Sequence, residues 1–328
     1  MFPNEKLSSI TSTEIFKKNV INSNFNVEPT WTSSGEIEIK DYIESLGFDP
    51  KKGTNRKLLN GKEIDLVVES EKLCIEYDGL YYHTEKMGKN STYHLNKTLD
   101  CNNIGYKLIH IFEDEWILKK ELVKNKLKHI LNINDTIKIG ARNVDIKKIL
   151  SKEKSEFLNQ NHIQGNDNSE IYYGAYYKND IVGVMCFTKK RNMTKNMYNQ
   201  YELSRFAIKQ IYSVYGLGSK FIKHFIDEYS PNSIISFADR RWTLNSSNNL
   251  YIKMGFKLVD IIRPSYYYYN SKINKYKRYH KFGFGKTSLK KKYPNLDFNK
   301  TEKELMSNLG YDRIWDCGLF KYELIIVP

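Results

Sequence analysis

The stretch Glu63-Ile-Asp-Leu-Val-Val68, followed four residues later by Leu73-Cys-Ile-Glu-Tyr-Asp-Gly-Leu-Tyr-Tyr-His83, decides how this chain is read. Its two short apolar runs predict two strands of a hairpin. Side chains alternate faces along a strand, so Glu63 and Asp65 share one face of the first strand, and Glu76 and Asp78 one face of the second. The hairpin therefore gathers carboxylates at one place, with His83 just beyond a glycine turn. Oxygen donors of this kind suit Mg²⁺ or Mn²⁺, which keeps several waters and bridges one or two carboxylates to a phosphate. A metal so held polarises a phosphodiester, generates hydroxide and stabilises the leaving oxygen. His83 is then a candidate general acid or base. A lone Glu-x-Asp is more often a charged strand end on a solvated face. The flanking sequence decides against that here.

Four segments in order carry a resemblance over Glu36 to Trp116. Glu36-Ile-Glu-Ile-Lys-Asp-Tyr-Ile-Glu-Ser-Leu-Gly47 resembles an opening helix with an active-site glutamate, Glu36 being preferred over Glu38. Gly61-Lys-Glu-Ile-Asp65 resembles a metal-binding aspartate strand, and Ile75 to His83 a second metal strand with its histidine. Tyr93-His-Leu-Asn-Lys97 and Gly105-Tyr-Lys-Leu-Ile-His-Ile-Phe-Glu-Asp-Glu-Trp116 resemble a helix and closing strand. Together they are similar to the very-short-patch-repair branch of the PD-(D/E)XK nucleases, in particular the phage-type homing endonucleases of the EDxHD group. The resemblance implies a mixed sheet flanked by helices and a Mg²⁺-dependent, site-specific DNA endonuclease. It places the metal on Asp65, Glu76 and Glu36, makes Asp78 a supporting or second-metal acid, and gives His83 the proton transfer. The sequence departs from the pattern at one point: where the family carries Glu-x-Lys, the residue two after Glu76 is Asp78. The cation's role then falls to His94 or Lys97, one helical turn apart and on one face.

The chain has 328 residues, a length that suggests two domains, and 52 Lys and Arg against 38 Asp and Glu, a formal charge of +14. Such a charge favours a polyanionic partner, double-stranded DNA on this reading. Cys74, Cys101, Cys186 and Cys317 form no Cys-x-x-Cys pair, so a disulfide framework and a zinc knuckle are not expected. Reduced, buried thiols in a cytoplasm, that of an infected bacterial host if the gene is phage-borne, are the expectation. Residues 1–34 read as a polar leader without a signal-peptide apolar core, and no run approaches a membrane span. Ile117 to Leu131 has helical spacing, and Asn132-Ile-Asn-Asp-Thr136 breaks it, so the front domain is placed at 35–134 and the rear at 135–328.

The rear half predicts a helix over Asp145 to Gln160, a hairpin of Ile171 to Tyr177 with Ile181 to Phe187, and a strand over Tyr201 to Ile208. A glycine turn Tyr215-Gly-Leu-Gly-Ser219 then opens a helix, followed by a strand over Ile234 to Arg240 and a short helix ending at Gly255-Phe256. This order resembles the α/β fold of the GNAT N-acetyltransferases over about residues 145–270. In that family the glycine turn lays backbone N–H groups around the pyrophosphate of coenzyme A. Here Tyr215 stands where the turn usually begins with Arg or Gln. Two meanings stay open: an acyltransferase-like fold serving as a DNA-binding module, or a base-modifying transferase. The departure at Tyr215 favours the first. A non-catalytic DNA-binding protein is disfavoured by so complete a carboxylate set.

Basic and aromatic residues supply the candidate DNA contacts. Arg263 to Lys292 holds ten Lys or Arg and no acid, interleaved with tyrosines, and includes Lys277, Arg278, Lys290, Lys291 and Lys292. Cations neutralise phosphates and rings offer stacking faces. Arg240-Arg241-Trp242 is a second candidate, because arginine gives bidentate contacts to guanine or phosphate. A single active site cuts one strand at a time, so a double-strand break calls for a homodimer or sequential nicks.

Overall fold

Ser33 starts the first helix, α1 (Ser34–Ser45): its hydroxyl accepts from the Glu36 N–H while the Glu36 carboxylate accepts from the Ser33 N–H, a reciprocal cap. The computed structural model describes residues 33–53, 59, 61–190 and 199–326. The expected polar leader lies almost wholly outside them. Gly35 sits against the Tyr77 ring, where a Cβ would fall 2.2 Å from it, so α1 approaches the sheet as closely as only glycine allows.

That sheet is β1 (Lys51–Gly53), β2 (Ile64–Val68), β3 (Leu73–Asp78) and β4 (Lys107–Phe112), in that order. The first three strands are antiparallel, and β4 runs parallel to β3 after a crossover through helix α2 (Tyr93–Asn103). Both faces are covered. Leu66, Val68, Ile75, Ile109 and Ile111 pack towards Ile39 and Ile43 of α1, while Val67, Cys74 and Leu108 pack with Cys101 of α2. Two covered faces explain why β2 and β3 read as apolar runs broken only by acids, and β4 as one broken by His110. The closing strand stops at Phe112, short of the expected Trp116. Glu113–Leu118 is helix α3, and Lys120–Ile130 is α4, whose Leu122, Val123 and Leu127 are buried.

The rear half begins with β5 (Ile137–Gly140). Its main sheet has seven strands: β6 (Asp145–Lys148), β7 (Ile171–Tyr177), β8 (Asp180–Lys189), β9 (Gln200–Ile208), β11 (Ser233–Asp239), β12 (Lys257–Ile262) and β16 (Leu319–Ile325), ordered β12-β16-β11-β9-β8-β7-β6. The helix expected from Asp145 starts only at α5 (Ser151–Asn161). Asp145–Lys148 is instead an edge strand paired with Tyr173–Tyr176, a position that suits its charged residues. Between β9 and β11 lie β10 (Tyr212–Tyr215) and α6 (Leu217–Tyr229), joined by Gly216 at φ +79°. The short α7 (Leu250–Lys253) precedes β12. Strands β9 and β11 run parallel but pair only over Gln200–Leu203 with Ser233–Ser236. They then part.

Between the neighbours β12 and β16 the chain makes an excursion: β13 (Tyr266–Tyr269), β14 (Arg278–His280), α8 (Lys286–Lys292), α9 (Glu302–Asn308) and β15 (Asp312–Trp315). These form a three-stranded sheet over a small core of Tyr268, Leu289, Leu305, Met306 and Tyr311. The basic, tyrosine-rich stretch is thus an insertion within the rear sheet and not the terminal extension expected from the sequence. Both halves are mixed α/β, sheets flanked by helices. Among the described residues, no helix is long and apolar enough to cross a membrane. All four cysteines are free and buried.

Candidate active site

A cleft of about 620 Å³ opens at the carboxyl end of β3. The front half lines it with Glu36, Glu63, Asp65, Glu76, His83 and Lys97, and the insertion closes it with Tyr269, Ser271, Lys275 and Tyr276. Strand pairing fixes the acids. The Asp65 N–H donates to Glu76 Oε1 at 3.2 Å, and the Tyr77 N–H donates to Asp65 Oδ2 at 2.8 Å. Lys97 reaches from α2 to Glu76 Oε2 at 2.6 Å. This is the cation nearest the acids of the cleft among the residues that line it on the front half. Glu36 faces this cleft, while Glu38 turns away to Lys120 and Trp116.

The charges are crowded on the acidic side. Burial, then the neighbouring Glu76 and Glu36, push the Asp65 carboxyl well above the usual carboxylate range. Burial also raises Glu76, with Lys97 opposing it. Burial would lower the Lys97 ammonium, but Glu76 outweighs it and keeps the cation charged. Buried acids held above their usual range, with one cation between them, form an oxygen-donor set short of positive charge. A small divalent cation fits it.

Asp78 and His94, expected among the catalytic groups, are fully buried behind the cleft and cannot touch a phosphate there. The even spacing that put Asp78 on the face of Glu76 holds, but Asp78 stands at the strand's end beneath the loop leading to His83. It lies 3.2 Å from His83 Nδ1, 3.7 Å from His94 Nε2 and 3.0 Å from His110 Nδ1. Burial would raise Asp78, yet His110, His83 and His94 hold it far below the usual range. Burial pushes His83 down to about 4 against the pull of Asp78, so its ring is neutral at neutral pH. That state can accept a proton but is a poor acid. His110 was quoted in the closing strand without a role, and only the parallel register that sets it beside Glu76 brings it here. Glu113 has no expected role, and Tyr269, Lys275 and Tyr276, expected only as general DNA contacts of the basic stretch, line the cleft. Glu113 marks the turn from strand to helix, and the others need the insertion's placement to be seen.

Three expected DNA contacts are buried at the junction of the halves instead. Arg241 forks onto Glu115 and Asp239, and Arg278 onto Asp114 and Glu115. Their side chains are 6% and 7% exposed. Trp242 packs against the front core beside Leu244 and Ile163. The three acids that bury two guanidinium groups, Glu115 being shared, come from both halves, so the basic motif reads as an interface and not as a nucleic-acid surface. Arg240 is half-buried, its guanidinium over the Phe320 ring. Arg263, Lys277, Lys290, Lys291 and Lys292 stay exposed.

The order of the seven-stranded sheet, the parting of β9 from β11, and the glycine turn into α6 point to one fold for the rear half. Residues 143–256 match the model of the acetyltransferase (GNAT) family. This segment is similar to the GNAT family and has a GNAT-like mixed α/β fold. Among solved structures, a GNAT acetyltransferase from Elizabethkingia anophelis with acetyl-CoA bound is 15% identical, with a TM-score of 0.31, over 56% of this chain and 99% of that one. The Bacillus subtilis acetyltransferase in complex with CoA is 15% identical, TM-score 0.32, over 56% and 98%. The ribosomal-protein-S18-alanine N-acetyltransferase from Escherichia coli is 13% identical, TM-score 0.32, over 56% and 95%. No curated protein matches the chain.

In this GNAT-like segment the turn before α6 is engaged by the chain itself. Strand β10 pairs in parallel with β5, the Ile137 N–H donates to the Ile211 carbonyl at 2.9 Å, and Lys220 in the first turn of α6 donates to the carbonyls of Ala141 and Val144.

Proposed function

We propose that the front half is a Mg²⁺-dependent DNA endonuclease and that the GNAT-like domain with its insertion serves it as a DNA-holding frame. One observation carries the reading: Glu36, Asp65, Glu76 and Lys97, from two strands and two helices, meet in one open cleft. Asp65 and Glu76 would hold the ion, with Glu36 on its water shell. When bound, Mg²⁺ supplies a polarised phosphate and an acidified water. The chain's own part is positional. Lys97, fixed by Glu76, lies where it can balance charge on the phosphate. Neutral His83, its Nδ1 turned to Asp78, accepts a proton at the cleft wall. Exposed Lys275, Lys277 and the lysines of α8 lie on the insertion that forms the opposite wall. Incubation of the purified protein with phage or host genomic DNA should give discrete products with Mg²⁺ and none with EDTA. Asp65→Asn and Glu76→Gln should cut at less than 1% of the wild-type rate. Equal cutting by either variant would remove the assignment.

The family match over residues 143–256 favours a second reading, acyl transfer to a base or other acceptor by the rear half. Tyr215 at the start of the turn, where the family usually carries Arg or Gln, weighs against it, while the N–H groups at the start of α6 lie outside the pairing of β10 with β5. Calorimetry with acetyl-coenzyme A separates the two. No saturable heat is expected, and a stoichiometric complex would put the transferase first.

A further inference from the structure

We propose that Asp78, His83, His94 and His110 form a transition-metal site with the chemistry of zinc, behind the oxygen-lined cleft and distinct from the ion held there, with His83 standing between the two. Four different elements bring these side chains to one point: the end of β3, the loop after Gly79, the second residue of α2, and the middle of β4. The donor atoms are close enough to share an ion. His83 Nδ1 and His94 Nε2 are 2.8 Å apart, and Asp78 Oδ1 lies 3.2 Å from the first and 3.7 Å from the second. Asp78 Oδ2 stands 3.0 Å from His110 Nδ1, and the ligating atoms of Asp78, His94 and His110 fall within 4.8 Å of one another. Zn–N and Zn–O bonds near 2.0–2.1 Å in a tetrahedron put neighbouring donors about 3.3 Å apart. The shortest separations, 2.8–3.7 Å, lie around that value, and the wider span of up to 4.8 Å among Asp78, His94 and His110 calls for small side-chain shifts on binding.

The composition of the cluster points the same way. Three imidazoles and one carboxylate suit zinc and its neighbours, whereas Mg²⁺ prefers an all-oxygen set such as the cleft's. Asp78, His94 and His110 are 0% exposed, so their mutual attraction is not diluted by solvent. Three imidazoles in ring contact, at centroid separations of 5.1 Å for both the His83–His94 and His94–His110 pairs, are an unusual filling for an apolar interior. An ion there would pin the loop carrying His83 to β3, β4 and α2. With the ion on Nδ1, the ring edge of His83 at the cleft would be an N–H donor of set orientation, so the ion would replace the proton-accepting role that the metal-free ring has there.

The test is the metal content of the full chain, purified without chelator and measured by plasma mass spectrometry. About one zinc per chain should survive dialysis against Mg²⁺ buffer, and Co²⁺ exchanged into the site should show the visible bands of a tetrahedral ion. Asp65→Ala should keep this metal, which separates it from the cleft ion, whereas His94→Ala and His110→Ala should lose it. If those two variants do not fold, His94→Cys, which preserves a ligand, should retain the metal and alter the cobalt spectrum. Wild-type protein that carries no transition metal and gives no heat with added Zn²⁺ would overturn the site, leaving a hydrogen-bonded knot in its place. So would zinc that Asp65→Ala removes.

Discussion

Asp65 and Lys97 show what single residues contribute. The folded Asp65 carboxyl binds its proton more tightly than the unfolded one, so the stability it confers is full below its unfolded value, 3.8, and lost as pH rises through the higher folded value. Metal-free protein at neutral pH therefore carries a penalty. Asp65→Asn should remove it and raise stability in EDTA by on the order of 1 kcal/mol while abolishing cleavage, as thermal melts and a nicking assay would show. A lower melting temperature for this variant would contradict the crowding. Lys97→Met should leave Glu76 buried without its cation and cost on the order of 100-fold or more in rate. Much of this was legible in the sequence, because a period of two puts Asp65 and Glu76 where strand pairing can join them. His94, expected at the phosphate, lies too deep to reach it, whereas the buried place of Asp78 still suits the supporting acid that was one of its two expected roles. Periodicity gives a face, but depth along a strand end depends on the loop folded over it.

At the scale of elements, the insertion is the part the sequence described chemically but misplaced. A run of lysines and tyrosines announces phosphate and ring contacts; that its loop between β13 and β14 forms the far wall of the cleft depends on Tyr269 and Ile314 packing with Leu80 and Phe112. Lys275→Ala should weaken DNA binding for every sequence and flatten the dependence of log K on log salt by about 0.9. Fluorescence anisotropy across a salt series would measure it, and an unchanged slope would place the DNA elsewhere. Arg241 and Arg278 show the converse. Arginine beside aromatic residues fits a nucleic-acid surface or a buried interface equally well in sequence, and only the positions of Asp114, Glu115 and Asp239 decide. Asp145–Lys148 was drawn into the following helix because its pairing partner lies some thirty residues away, beyond the reach of a local pattern.

For the molecule as a whole, the two halves meet at a buried ionic centre, with a more exposed Lys303–Glu85 pair as a second link. Burial would raise Glu115, but Arg241 and Arg278 hold it below 4.5, so its stabilisation is full above that value and is lost as pH falls through the lower folded one. Acid below about pH 4.5 should therefore loosen the junction, seen as protease cleavage between the halves before either melts. Glu115→Gln leaves two guanidinium groups short of charge and should cost about 3 kcal/mol. An unchanged melting temperature would show that the junction rests on its apolar contacts, Trp242 among them. One further consequence follows from how the insertion is attached. Ile262 and Leu319, where the chain leaves and re-enters the rear sheet, are cross-strand partners in register, with Gly318 at φ +81° closing the neck. An excursion that departs and returns through adjacent residues is exchangeable. Replacing residues 264–317 by a short turn should restore an ordinary hairpin and leave the sheet intact, and grafting another excursion onto the same neck would change what the cleft faces without touching the groups that line its floor.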